Sequence, residues 1–98
     1  MRISLSTNLE LPSSVPYFLW DEPMTVAELK HRLRTASETE RLRLLGKILR
    51  EARDRDVWKF TTPRFVWQNW PKLSKHLGRR RLFWEFLFTA WEKDGFLD

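Results

Sequence analysis

Ninety-eight residues make one small domain, with enough chain for a real core and too little for two. The composition, 42% hydrophobic and 32% charged, excludes a chain disordered by composition and a membrane protein, and a net charge of +5 favours polyanions or acidic surfaces as partners. No cysteine occurs, which excludes disulfides, thiolate metal sites and cysteine nucleophiles and fits a reducing, cytoplasmic setting.

The charge is unevenly spread. Residues 1–24 carry Arg2 against Glu10, Asp21 and Glu22, a net of −2, whereas residues 25–98 carry 17 Lys and Arg against 10 Asp and Glu, a net of +7. The first part is broken by Pro12 and Pro16 and has no apolar run long enough for a signal peptide or membrane span. Residues 1–24 are therefore expected to form an extended N-terminal segment ahead of a helical domain at 25–98. Within it, PYFLWDEP fences Tyr17, Phe18, Leu19 and Trp20 between prolines. Such a stretch cannot make a useful helix, so it is expected to lie extended in a groove. It is either a strap over the protein's own core or a peptide that inserts, with Asp21, into another protein.

TVAE reads as a capping box, with Thr25 as cap and Glu28 three residues on, and Val26, Leu29 and Leu33 follow at helical spacing through Arg34. SETE opens a second helix to about Arg53, striped by Leu42, Leu45, Leu49 and Ala52 and widened by Leu44 and Ile48. The short link between the two predicts a helical hairpin. Asp54 to Thr62 reads as a connector holding Trp58 and Phe60, and Thr62 before Pro63 as a cap and first turn. The third helix carries Phe65, Val66 and Trp70, with Trp67 nearby, and Pro71 should break it, leaving PKLSKHL as a fourth.

Gly78 fits a left-handed stop, and the last helix is expected from Arg79 to Asp94, ended by Gly95. Its rows are Leu82, Phe86, Thr89; Phe83, Leu87, Ala90; and Trp84, Phe88, Trp91, so no side is polar. A helix of this kind is either central to the bundle or covered on its outer side by another chain, and the central position is the expectation here. Six tryptophans suit a deep core and an interface equally. The fold class is all-α: a single small bundle of about five helices.

Signals for chemistry are weak. His31 and His76 stand far apart beside basic residues, with no neighbour at metal-ligand spacing, and both are expected on the surface. Asp54 and Asp56 in RDRD are each flanked by arginine, as ordinary paired charges are. Three glycines form no phosphate loop, and neither a nucleophile elbow nor an HExxH helix occurs. A non-enzymatic protein with no cofactor and no metal is expected.

Two basic features point to binding. Arg43, Lys47 and Arg50 recur along the second helix away from Leu45 and Leu49 and could follow a phosphate backbone, the pattern of a small DNA- or RNA-binding regulator. Arg79, Arg80 and Arg81 crowd a helix N-terminus, where the macrodipole opposes positive charge by ~0.3–1 kcal/mol each. Either an anion or acidic partner compensates them, or they pair with Glu85 or the acidic tail. A protein partner accounts for the most features together, since interfaces favour Trp, Phe, Tyr and Arg.

The order FLWD, a capped helix pair, DVWKF ahead of a Thr-Pro helix start, a Trp-centred third helix and then LGRRRLFWEFLF resembles the small helical proteins encoded beside abortive-infection-type nucleotidyltransferase toxins. The similarity spans about residues 17 to 90. The resemblance implies an antitoxin-like protein that binds and restrains a nucleotidyltransferase, and it brings no active-site motif. Candidate partner contacts come from the residues themselves: Phe18, Leu19, Trp20 and Asp21 in the docking segment, and Arg79, Arg80, Arg81 and Trp84 on the last helix.

Overall fold

The computed structural model describes residues 4–97; Met1, Arg2, Ile3 and Asp98 lie outside the described residues. Two short strands, β1 (Leu5–Ser6) and β2 (Val15–Pro16), pair in parallel with Leu5 opposite Val15. The rest is helical: α1 (Val26–Thr35), α2 (Glu38–Glu51), α3 (Asp54–Val57), α4 (Pro63–Gln68), α5 (Trp70–Leu73) and α6 (Arg80–Lys93), with 3-10 turns at Tyr17–Leu19 and Ser74–His76. The protein is all-α in class, as its hydrophobic periods predict.

Local chemistry sets the boundaries. Thr25 and Ser37 each accept a hydrogen bond from the amide three residues on, at 3.1 and 3.3 Å, starting α1 and α2. The glutamates of the two capping boxes turn away: Glu28 takes Arg32, and Glu40 takes Arg43. Thr62 caps α4 at the amide of Phe65, with Pro63 in the first turn. Gly78 and Gly95 adopt positive φ of 54° and 82°, the left-handed stops on either side of α6.

Three local expectations change. Tyr17–Leu19 is a 3-10 turn instead of extended chain, because Pro16 fixes the entry angle and the turn drives Phe18 and Leu19 inward together. The connector after α2 holds the one-turn α3, whose first turn carries Asp54 and Asp56, charges that suit a helix N-terminus. The break between α4 and α5 falls at Asn69; Pro71 sits in the first turn of α5, where its missing amide costs nothing.

The N-terminal segment and the helices share one core. Leu9, Phe18, Leu19 and Met24 are buried with Leu29, Leu44, Ile48 and Leu49 of the hairpin. Backbone groups lock the segment as well: the carbonyls of Ser14 and Pro12 accept from the amides of Val26 and Ala27 at 2.8 and 3.0 Å. Those amides open α1 and have no partner inside it. Tyr17 adds a side-chain tie, its hydroxyl donating to Asp56 at 2.6 Å and accepting from the amide of Arg53 at 2.7 Å. Burial, followed by the bond to Asp56, pushes the Tyr17 phenol above its ordinary value.

A second part of the core is aromatic. Phe88 of α6 is ringed by Trp58, Trp67, Trp70, Trp84 and Trp91, with ring centroids 5.5–6.3 Å away. Five of the six tryptophans are thus spent on one phenylalanine, chiefly in edge-on arrangements, which aromatic quadrupoles favour. Trp84 also donates its indole N–H to the Leu49 carbonyl at 2.8 Å. That carbonyl lies in the last turn of α2, where the helix itself supplies no donor.

Candidate protein-binding surface

Helix α6 packs on one side only, which corrects the expectation of a central helix. Trp84 and Phe88 are fully buried and Leu87 and Trp91 half-buried, but Leu82 and Phe86 are 77% and 76% exposed. Phe83 is exposed too, and Phe96 follows just past the helix end. Leu82, Phe86, Thr89 and Ala90 line a shallow apolar hollow bordered by Glu85 and Lys93. The aromatic cage takes up the inner face, and no other part of the described chain reaches the outer one. Leucine and phenylalanine at these exposures leave a contiguous apolar strip, a feature that marks interaction sites on soluble domains.

The arginines at the head of α6 have three different fates. Arg80 pairs with Asp54 and lies over the ring of Phe83 at 4.7 Å, so its charge is met within the chain. Arg81 reaches Glu85 one turn on, at 3.4 Å. Arg79 is exposed and makes no ion pair with the described residues, leaving one uncompensated cation at the positive end of the helix beside the apolar strip.

The docking segment divides in the same way. Phe18, Leu19 and Trp84 are core residues and cannot touch a partner while the domain is folded. Their aromatic and aliphatic character served the interior, because the 3-10 turn and the α6 register aim them inward. Trp20 is the exception, 63% exposed at the end of the turn. Asp21 faces solvent but is tied to Lys47.

The predicted phosphate-tracking stripe is engaged within the chain. Arg43 donates to Glu22 at 3.0 and 2.6 Å and also to Glu40. Lys47, 5% exposed, is held by Asp21 and lies 3.6 Å from Glu22. Arg50 donates to the His76 carbonyl at 2.9 Å and pairs with Glu51. The hydrogen bond from Arg43 holds the carboxyls of Glu22 and Glu40 below the usual range, and that from Lys47 does the same for Asp21. The acidic end of the N-terminal segment therefore lies against the basic face of α2 and covers Lys47, while the side chains of Arg43 and Arg50 remain 41% and 42% exposed.

Neither histidine assembles a site. His31 is exposed, but His76, expected on the surface, is half-buried against α2. It comes so close that a Cβ added at Gly46 would lie 2.5 Å from its own Cβ. Of the RDRD carboxylates, Asp54 pairs with Arg80 and Asp56 accepts from Tyr17. Among the described residues no group of three or more His, Cys, Asp and Glu could hold a metal ion, and no helix is long and apolar enough to cross a membrane.

The helical period does not single out Leu82 and Phe86 as contacts, although the missing polar face of their helix is a usable signal. No family model, curated protein or solved structure matches the chain.

Proposed function

We propose that this chain is a protein-binding module that engages its partner through the outer face of α6. The observation that supports this reading is the exposure of Leu82 and Phe86 on a helix whose inner face is already satisfied by the tryptophan cage. Arg79 at the head of the strip, and the outward indole of Trp20, supply the kinds of side chain that anchor interfaces. The resemblance noted above makes the proposed partner a bacterial nucleotidyltransferase toxin, with this chain as its antitoxin or accessory subunit, acting by occlusion in the cytoplasm. Such an enzyme holds Mg²⁺ with carboxylates and so offers an acidic face to an arginine.

The test is co-expression with the neighbouring reading frame, followed by size-exclusion chromatography. A nucleotidyltransferase encoded there should co-elute with this protein, and Leu82→Gln with Phe86→Gln should separate the two. A complex that survives the double substitution removes α6 from the interface. A neighbouring frame that encodes no nucleotidyltransferase removes the proposed partner.

A further inference from the structure

Several cations make no ion pair with the described residues, and three of them line one depression. Lys30, Arg34 and Arg41 make no ion pair with the described residues, in contrast to Arg43, Lys47 and Arg50. All three line a depression bounded by α1, α2 and the chain between α3 and α4. It consists of two hollows of about 280 and 330 Å³ that share Leu33 and Phe60 and so form one groove. The floor is Leu33, Leu45, Phe60 and Phe65; Lys59 completes the rim, its amine turned to Glu10. No carboxylate lines either hollow.

A leucine and phenylalanine floor favours apolar side chains, and a rim of cations with no carboxylate in its lining favours anions, although Glu10 and Glu38 nearby offset part of the charge of Lys30 and Arg41. We propose that this groove binds an acidic amphipathic peptide segment, laid with its leucine or aromatic side chains on the floor and its aspartates or glutamates against Lys30, Arg34 and Arg41. Single-stranded nucleic acid would also meet the rim, but it gains its affinity by stacking bases on open aromatic faces. Phe60 offers none, since Phe18 meets it edge-on at 5.7 Å and the Lys30 amine lies 5.9 Å over its ring, and Phe65, 41% exposed, is a single ring where a strand needs several in succession. A peptide needs no such platform, since aliphatic side chains pack against ring edges as well as faces. The groove shares no lining residue with the outer hollow of α6, so this inference stands apart from the reading of that helix.

Fluorescence anisotropy on the full chain tests it with three labelled probes. The first is a roughly fourteen-residue peptide of Asp and Glu with Leu and Phe at i, i+3, i+4 and i+7, about 21 Å long as a helix. The second has the same composition with the apolar residues dispersed. The third is an oligothymidine of roughly 15 nucleotides. The ordered peptide should bind best, and Arg34→Glu with Arg41→Glu should weaken it by about tenfold or more. Leu82→Gln with Phe86→Gln should leave it unchanged, which separates this groove from the α6 face. Amide NMR shifts on the parent protein should cluster at Leu33, Leu45, Phe60 and Phe65, a readout that needs no variant to fold. The proposal is overturned if the ordered peptide does not bind, if the oligothymidine binds in preference to it, or if the shifts fall elsewhere.

Discussion

Helices α2 and α6 are each fourteen residues long, and the chain treats them in opposite ways. In α2 the buried side is leucine and isoleucine, and Arg43, Lys47 and Arg50 are tied to Asp21, Glu22, Glu40, Glu51 and the His76 carbonyl. One edge, at Arg41 and Leu45, opens onto the groove described above. In α6 the inner side is occupied just as fully by tryptophans, but the outer side presents Leu82 and Phe86 to water. A helix with mixed composition can thus have most of its charges met within the chain, while a more apolar one keeps a face in reserve.

The largest expected effect comes from the point where the two helices meet. Trp84→Ala removes the cage wall and leaves the Leu49 carbonyl without its donor, and should cost ~3–5 kcal/mol in urea unfolding. A loss under about 1 kcal/mol would mean that the cage does not hold α6 to α2. Gly46→Ala comes next: alanine is the better helix former, yet its Cβ would collide with His76, so a net destabilisation of ~1–3 kcal/mol is expected. A stabilised variant would show that the approach of His76 to α2 is not tight. Ser37→Ala removes the cap of α2 and should lower stability by ~1 kcal/mol, a shift measurable as a reduced unfolding midpoint.

Acid should strip α2 of its ties by degrees. Asp21, Glu22 and Glu40 have folded values below their ordinary ones, so their contribution is complete above the usual carboxylate range, near 4. It is lost as the pH falls through that range and on through the lowered folded values. The melting temperature should drop between about pH 5 and pH 2, and Arg43→Gln should flatten that drop. An unchanged slope in the variant would remove Arg43 as its source. The smallest effect is expected on the outer face of α6, where Leu82→Gln with Phe86→Gln should stay within about 0.5 kcal/mol per residue of the parent. A large loss would show that the strip is already covered, for instance by self-association.

The same two helices show what could be read in advance. In α2 a clean 3.6-residue period separates inside from outside, and Ser37, Thr25 and Thr62 announce helix starts by chemistry that acts within three residues. Gly78 and Gly95 were equally legible, because positive φ suits glycine first. In α6 apolar residues point in all directions, so the period cannot say which side is inner; the tryptophans that decide it come from three other segments. The internal pairing of Arg43, Lys47 and Arg50 was hidden for a related reason. Glu22 and Asp21, which hold Arg43 and Lys47, lie 21 and 26 positions earlier, and although the segment's negative charge was visible, its docking site was not. Phe18 and Leu19 behave as a strap because the turn after Pro16 aims both inward, whereas Trp20 is carried past the core.

Tyr17 has a consequence for how the chain is made. Its hydroxyl is seated by Asp56, which is 39 positions later in the sequence, and the cover over Phe18 includes Phe60. On a ribosome adding about 5–20 residues per second, the segment is synthesised roughly 2–8 seconds before its seat exists. During that interval Phe18 and Leu19 have only the leucines and isoleucine of the hairpin to pack on, without the tie to Asp56 or the cover of Phe60. Translation speed between the two halves of this tie, more than the strength of the tie itself, sets how long the nascent protein is open to aggregation or to capture by a chaperone.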